Sequence, residues 1–151
     1  MAETGFHIRP VAHGDFAQLS ALLNGRATGP AISEVSRLPE SLRRRIEGDD
    51  LHGFRLVAVD ADLIIGQAGV TFAAPATGWV TLLVRNDQRR RGVGKALLAA
   101  VLTAARQAGL RRIETDVFKD NAPALALYRQ LGFQDISAGQ SAGSVKMEKI
   151  L

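Results

Sequence analysis

The stretch that most constrains the fold of this chain runs from Val80 to Gly109, VTLLVRNDQRRRGVGKALLAAVLTAARQAG. An apolar β-type run, Val80 to Val84, passes through a short polar turn into Arg89-Arg90-Arg91-Gly92-Val93-Gly94, and an alanine- and leucine-rich segment with helical spacing follows at once. That order of elements builds an anion site. The first N–H groups of a helix have no partner within it, and the helix dipole places partial positive charge there. Gly92 and Gly94 lack a Cβ, so the chain can bend sharply before the helix and a phosphate can approach the amides, while Arg89, Arg90 and Arg91 add charge around the same point.

Two common phosphate loops do not fit. A nucleoside-triphosphate loop needs a glycine five residues before Gly94 and a Ser or Thr after Lys95; the chain has Arg89 and Ala96 there. A dinucleotide fingerprint needs Gly or Ala three residues after Gly94, and Leu97 stands in that place. What remains is Arg-x-x-Gly-x-Gly between a strand and a helix. This pattern resembles the pyrophosphate-binding loop of the GCN5-related N-acetyltransferases (GNAT family), whose acyl donor is acetyl-coenzyme A.

A second motif strengthens the resemblance. In Ile113 to Phe133, IETDVFKDNAPALALYRQLGF, a strand is followed by Asn121, a helix carrying Tyr128, and then Gly132-Phe133, in the family's order and at similar spacings. The resemblance covers roughly residues 78 to 134 closely and the first half only in general pattern. It implies an α/β (α+β) fold: a mixed, mostly antiparallel twisted sheet of about seven strands, with a central parallel strand-helix-strand unit and helices on both faces. It also implies that backbone groups of Leu82, Leu83 and Val84 pair with the pantetheine arm, and that one of their amides holds the thioester carbonyl. The loop from Arg89 through Arg90, Arg91, Gly92, Val93 and Gly94 to Lys95, together with Asn121 and Tyr128, would hold the rest of the donor. Tyr128, the single tyrosine, falls on the general-acid position. A phenol of pKa about 10 serves a thiolate whose conjugate acid is near 8.5 only if it is well placed.

The base departs from the family pattern. Many relatives carry a glutamate on the central strand, whereas Trp79 to Val84 contains no acid. Glu114 and Asp116 lie on the neighbouring strand and Glu34 in the candidate acceptor segment, and none is singled out; deprotonation through ordered water or by an unidentified carboxylate stays open. Glu114 and Asp116 alternate along one strand and share a face, where they either attract a cationic amine or are ordinary surface charges. The phrase Thr115 to Pro123 looks most like members that acetylate free amino acids or related small amines.

Composition agrees with one domain spanning residues 1–151, with 46% apolar residues. The chain has no long apolar run and no basic or hydrophobic leader at its start, which points to a cytoplasmic protein without a membrane partner. Zero cysteines exclude a cysteine acyl-enzyme, so direct attack by the acceptor is the default. His7, His13 and His52 form no metal motif, and no metal is expected. The net charge of +4 and a pI near 10.1 raise nucleic acid as a partner, but the basic groups are short and few aromatics accompany them. The expected partner is instead a small-molecule amine or a peptide N-terminus, and the resemblance leaves room for a homodimer. A non-catalytic CoA-binding regulatory module is the alternative reading.

Along the chain, Phe6 to Val11 reads as a short edge strand and His13 to Leu23 as a half-buried helix. Pro39 to Ile46 reads as a short basic helix, and Ile32 to Leu42 is the candidate acceptor segment or an ordinary surface connection. Phe54 to Val59 and Leu63 to Thr71 read as an antiparallel hairpin, with Gly66 and Gly69 marking a bulge or a close backbone approach. Phe133 is read as opening the penultimate strand, Gln134 to Gly143 as a hairpin loop, and Val145 to Leu151 as the closing strand.

Overall fold

A computed structural model describes residues 5–15, 17–19, 32–34, 53–74, 76–88, 91–139 and 142–151. Eight strands form one sheet: β1 (His7–Pro10), β2 (Ile32–Glu34), β3 (Gly53–Asp60), β4 (Leu63–Ala74), β5 (Thr77–Arg85), β6 (Arg112–Phe118), β7 (Gln134–Ala138) and β8 (Ser144–Ile150). The spatial order is β1-β3-β4-β5-β6-β8-β7, with β2 pairing on β5 outside that path. Among the described residues only β5 and β6 run parallel, and helix α1 (Val93–Gln107) joins them; helix α2 (Ala122–Gln130) follows β6. The fold class expected from the resemblance is the fold observed.

The hairpin of β3 and β4 matches the apolar runs on either side of Asp60-Ala61-Asp62, and the register slips once, between Ala58 and Val59. Gly66 is a close-approach position: a Cβ there would lie 3.0 Å from Leu97 Cδ1 and 3.2 Å from Val93 Cγ1. Helix α1 therefore packs directly on β4. It buries Val93, Leu97, Leu98, Val101, Leu102 and Ala105, while its alanines at 96, 100 and 104 are half-buried. Each large apolar side chain so buried contributes about 1.5–3 kcal/mol.

Both helices end in the same way. Leu110 N–H donates to Ala105 O at 3.1 Å and Gly109 N–H to Arg106 O at 3.1 Å; Phe133 N–H donates to Tyr128 O at 2.9 Å and Gly132 N–H to Arg129 O at 3.0 Å. These are paired Schellman caps, with the glycines at φ of 90° and 99°. In α2 the apolar contact that accompanies such a cap is Tyr128 against Phe133, edge to face at 5.0 Å. The Tyr-x-x-x-Gly-Phe spacing thus has a structural origin of its own. Asn121 caps the other end, its Oδ1 accepting the Ala124 N–H at 3.3 Å.

Three expectations change in extent. The segment read as a hairpin loop, Gln134 to Gly143, is a strand over Gln134–Ala138, because its residues pair with β8 from Val145 to Glu148; Phe133 is buried just ahead of it. Of the helix expected from His13 to Leu23, residues 13–15 form a 3-10 turn and 17–19 are helical, the remainder lying outside the described residues. Residues 32–34 of the expected acceptor segment are strand β2, and the rest of that segment and the basic helix at Pro39 to Ile46 lie outside the described residues.

Candidate active site

The parallel pairing of β5 with β6 covers only Thr77–Trp79 against Arg112–Glu114. Beyond it the two strands separate. The next contact across the seam is made by a side chain: the buried Thr115 hydroxyl donates to Val80 O at 3.0 Å. Further along the same edge, β2 pairs with Leu83, Val84 and Arg85. Backbone groups of successive residues in a strand face opposite edges, so those of every second residue face the same edge. Since the Val80 carbonyl faces β6, the peptide groups of Leu82 also face the opening, and those of Val84 face β2. The stretch expected to pair with pantetheine, Leu82 to Val84, is therefore divided between the opening and a short strand.

Helix α1 begins beside this opening. A Cβ on Gly94 would lie 3.4 Å from Leu127 Cδ2, 3.6 Å from Val84 Cγ2 and 3.9 Å from Leu82 Cδ2, so the first turn sits on the end of β5 and against α2. Gly92 is the N-cap residue, at φ 78°, with no side-chain cap and with nothing within 4 Å of where its Cβ would be. The amides of Val93, Gly94 and Lys95 have no intrahelical acceptor, and the first turn holds no acidic residue. Lys95 is exposed on that turn. The cradle fits a diphosphate.

Arg89 and Arg90 lie outside the described residues. Arg91 is drawn away from the helix start: its guanidinium bonds Asp60 Oδ2 at 3.0 Å, donates to Gln88 Oε1 and sits 5.5 Å from the centre of the Phe6 ring. It braces the loop against the β3–β4 turn. Tyr128 is fully buried in the main core with Leu82, Val84 and Val117, one residue from Leu127, which touches the Gly94 position. Helix α2 thus brings the tyrosine, the glycine loop and the end of β5 together.

The opposite face of the sheet carries features that the sequence reading missed. Cross-strand registers place Arg55, Val57, Gln67, Gly69, Thr71, Trp79, Thr81 and Leu83 on that face, and Glu114 and Asp116 continue it across the seam. Five of these polar residues are buried: Arg55, Gln67, Thr71, Thr81 and Asp116. Beside them, Leu19, Val57, Val59, Ile64 and Leu83 form a separate apolar cluster. The signal was present in LIIGQAGVTF and WVTLLV, where Gln67 and Thr71, four residues apart and so on one face, and Thr81 interrupt apolar strands. Glu114 is held by Lys146 at 3.2 Å and Arg112 at 3.5 Å, so its charge is already matched. Glu34 sits opposite Leu83 in the β2–β5 register. Among the described residues there is no cluster able to hold a metal ion, and no helix is long and apolar enough to cross a membrane.

The sequence profile of the Acetyltransferase (GNAT) family matches residues 21–133. The chain belongs to the GNAT family. It is 39% identical over 137 residues to L-methionine sulfoximine/L-methionine sulfone acetyltransferase of Pseudomonas aeruginosa, covering 84% of this chain and 79% of that protein. Mycothiol acetyltransferase of Clavibacter michiganensis is 51% identical over 49 residues, which is 32% of this chain but 16% of that protein. This GNAT chain therefore spans well under half the length of the mycothiol enzymes that it matches. Among solved structures, PaiA N-acetyltransferase of Thermoplasma acidophilum, crystallised in complex with coenzyme A, shares the fold at a TM-score of 0.74, with 15% identity over 97% of this chain and 99% of that one. The GNAT family uses acetyl-CoA as its acyl donor.

Proposed function

We propose that this GNAT enzyme moves the acetyl group of acetyl-CoA directly to the primary amine of a small molecule, an amino acid or a close analogue. The observation that carries the reading is the start of α1: an uncapped helix N-terminus behind a left-handed glycine whose Cβ side is open, set beside the place where β5 and β6 part. The amides of Val93, Gly94 and Lys95 would hold the diphosphate. The peptide groups of Leu82 would pair with the pantetheine arm, and the thioester supplies an activated acyl group. Tyr128, fixed by its helix cap and by Phe133, would return a proton to the departing sulfur. With no cysteine in the chain, the acceptor attacks without an acyl-enzyme.

The amino-acid class is supported by the likeness to the methionine sulfoximine and sulfone enzyme across most of both chains. A thiol-release assay with acetyl-CoA over amino acids, L-methionine sulfone, polyamines, aminoglycosides and peptide N-termini tests it. Turnover concentrated on amino acids and their analogues is the expected result. Donor binding without thiol release for any amine would favour a regulatory module instead.

A further inference from the structure

Two buried polar atoms on the sheet face opposite α1 are not accounted for by the fold. Gln67 is 0% exposed and, among the described residues, its Oε1 has no hydrogen-bond partner; Trp79 is 4% exposed and its indole N–H has none either. A buried polar group left without a partner costs about 1–3 kcal/mol, and such groups are few in native proteins. The two flank Thr81 on the same face of the sheet. Gln67 reaches Thr81 only weakly, Nε2 to Oγ1 at 3.5 Å, and Thr81 follows Trp79 by two residues on the same face of β5. Gln67 is also paired in register with Leu83, one residue from Leu82, whose peptide faces the strand opening.

We propose that these two side chains select the acyl acceptor: Gln67 Oε1 accepts a hydrogen bond from the attacking amine, and Trp79 Nε1–H donates one to an oxygen carried on the same substrate. The proposal rests on the acetyl-transfer reading above and names the acceptor class of that site, a primary amine with a hydrogen-bond-accepting oxygen a few bonds away. The chemistry of a neutral carboxamide suits the task. A carboxylate in that place would hold the amine as ammonium, whereas a buried neutral acceptor binds the uncharged amine without drawing a proton onto it. The nitrogen lone pair forms the new C–N bond, the C–S bond breaks, and the proton lost by nitrogen ends on the thiol. Gln67 takes no proton in this sequence. It orients the lone pair, which eases the demand for the strong base that β5 lacks.

The test compares L-methionine sulfone with n-hexylamine, which has the amine but no oxygen, as acceptors for acetyl-CoA in the wild type, Gln67→Met and Trp79→Phe. Wild type is expected to prefer the sulfone by about 10-fold or more in kcat/KM. Gln67→Met is close to isosteric and removes an unsatisfied buried group. Its melting temperature should hold or rise while kcat/KM for the sulfone falls about 10-fold and KM for acetyl-CoA stays within about twofold. Trp79→Phe keeps an aromatic ring without the N–H, and should narrow the preference for the sulfone over hexylamine to about twofold or less. Equal or better use of hexylamine by the wild type overturns the proposal. So does a Gln67→Met enzyme that loses stability and keeps its acceptor kinetics, or a Trp79→Phe enzyme with the preference intact. Absence of thiol release with every amine would instead defeat the acetyl-transfer reading itself.

Discussion

The two glycines of the helix start should respond oppositely to the same added methyl group. Gly92 stands at φ 78°, a conformation that costs an L-residue about 1–2 kcal/mol. For a chain of this length each kcal/mol lowers Tm by about 2–4 °C, so Gly92→Ala should lose about 2–8 °C. Nothing lies within 4 Å of its new Cβ, so no clash adds to that figure. The methyl instead projects into the space where a diphosphate would approach the amides, and KM for acetyl-CoA should rise about 10-fold, equivalent to about 1.4 kcal/mol. Gly94 lies within α1, and its Cβ would meet Leu127, Val84 and Leu82 at ordinary contact distances, 3.4 to 3.9 Å. Gly94→Ala should keep its Tm or gain up to about 2 °C, because alanine restricts the unfolded chain and favours helix. Its methyl faces the protein, so KM for acetyl-CoA should stay within about twofold. Thermal melts and initial-rate kinetics on both variants decide the matter. If Gly94→Ala damages donor KM as much as Gly92→Ala, or if Gly92→Ala loses stability with donor KM unchanged, the diphosphate does not sit at this helix start.

Three further outcomes follow from the geometry. Tyr128→Phe should lower kcat about 100-fold with KM for acetyl-CoA nearly unchanged, and an effect confined to KM would remove the acid role. Thr115→Val should cost about 1–3 kcal/mol in urea denaturation by stranding the Val80 carbonyl, whereas Thr115→Ser, which keeps the hydroxyl, should recover most of it. Asp15 accepts bonds from Arg9 at 2.8 and 3.0 Å and from Ala12 N–H at 2.7 Å; the Arg9 hydrogen bonds above all hold its carboxyl below the usual range, against the opposing effect of burial. The stability that this adds is complete above the unfolded-state pKa of about 3.9 and is lost as pH falls through the lower folded value. Asp15→Asn should therefore cost about 1–2 kcal/mol at neutral pH and progressively less on acidification below pH ~4, read by denaturant melts across pH. A penalty independent of pH would refute the ion pair's role.

The caps and the helix start on which the donor reading rests were legible because they depend on local rules. Asn121 caps its helix and Gly109 and Gly132 adopt positive φ, as short-range sterics require, and the strand-loop-helix order from Val80 onward fixed where α1 begins. Gly66 announced a close approach without saying to what; only the packing of Leu97 and Val93 supplies the answer. The fate of Arg91 was hidden because its partners, Asp60 and Phe6, come from distant parts of the chain. The polar row at Arg55, Gln67, Thr71 and Thr81 was overlooked for a related reason. Each residue is flanked by apolar or small neighbours in its strand, and the registers of four strands are needed to show that they share a face with Asp116. The extent of β7 was misjudged because glycine and serine suggested a turn, while pairing with β8 held Gln134–Ala138 extended.

The clamp of Arg91 on Asp60 changes how the basic run before the helix should be weighed. One of its three positive charges is spent inside the molecule, as a tether between two turns far apart in sequence. A visiting anion then meets an Arg91 already anchored to Asp60, and sacrifices less freedom in ordering that residue. Whatever share of the attraction comes from fixed peptide dipoles at close range is also less exposed to dilution by dissolved salt than a field of loose surface cations would be.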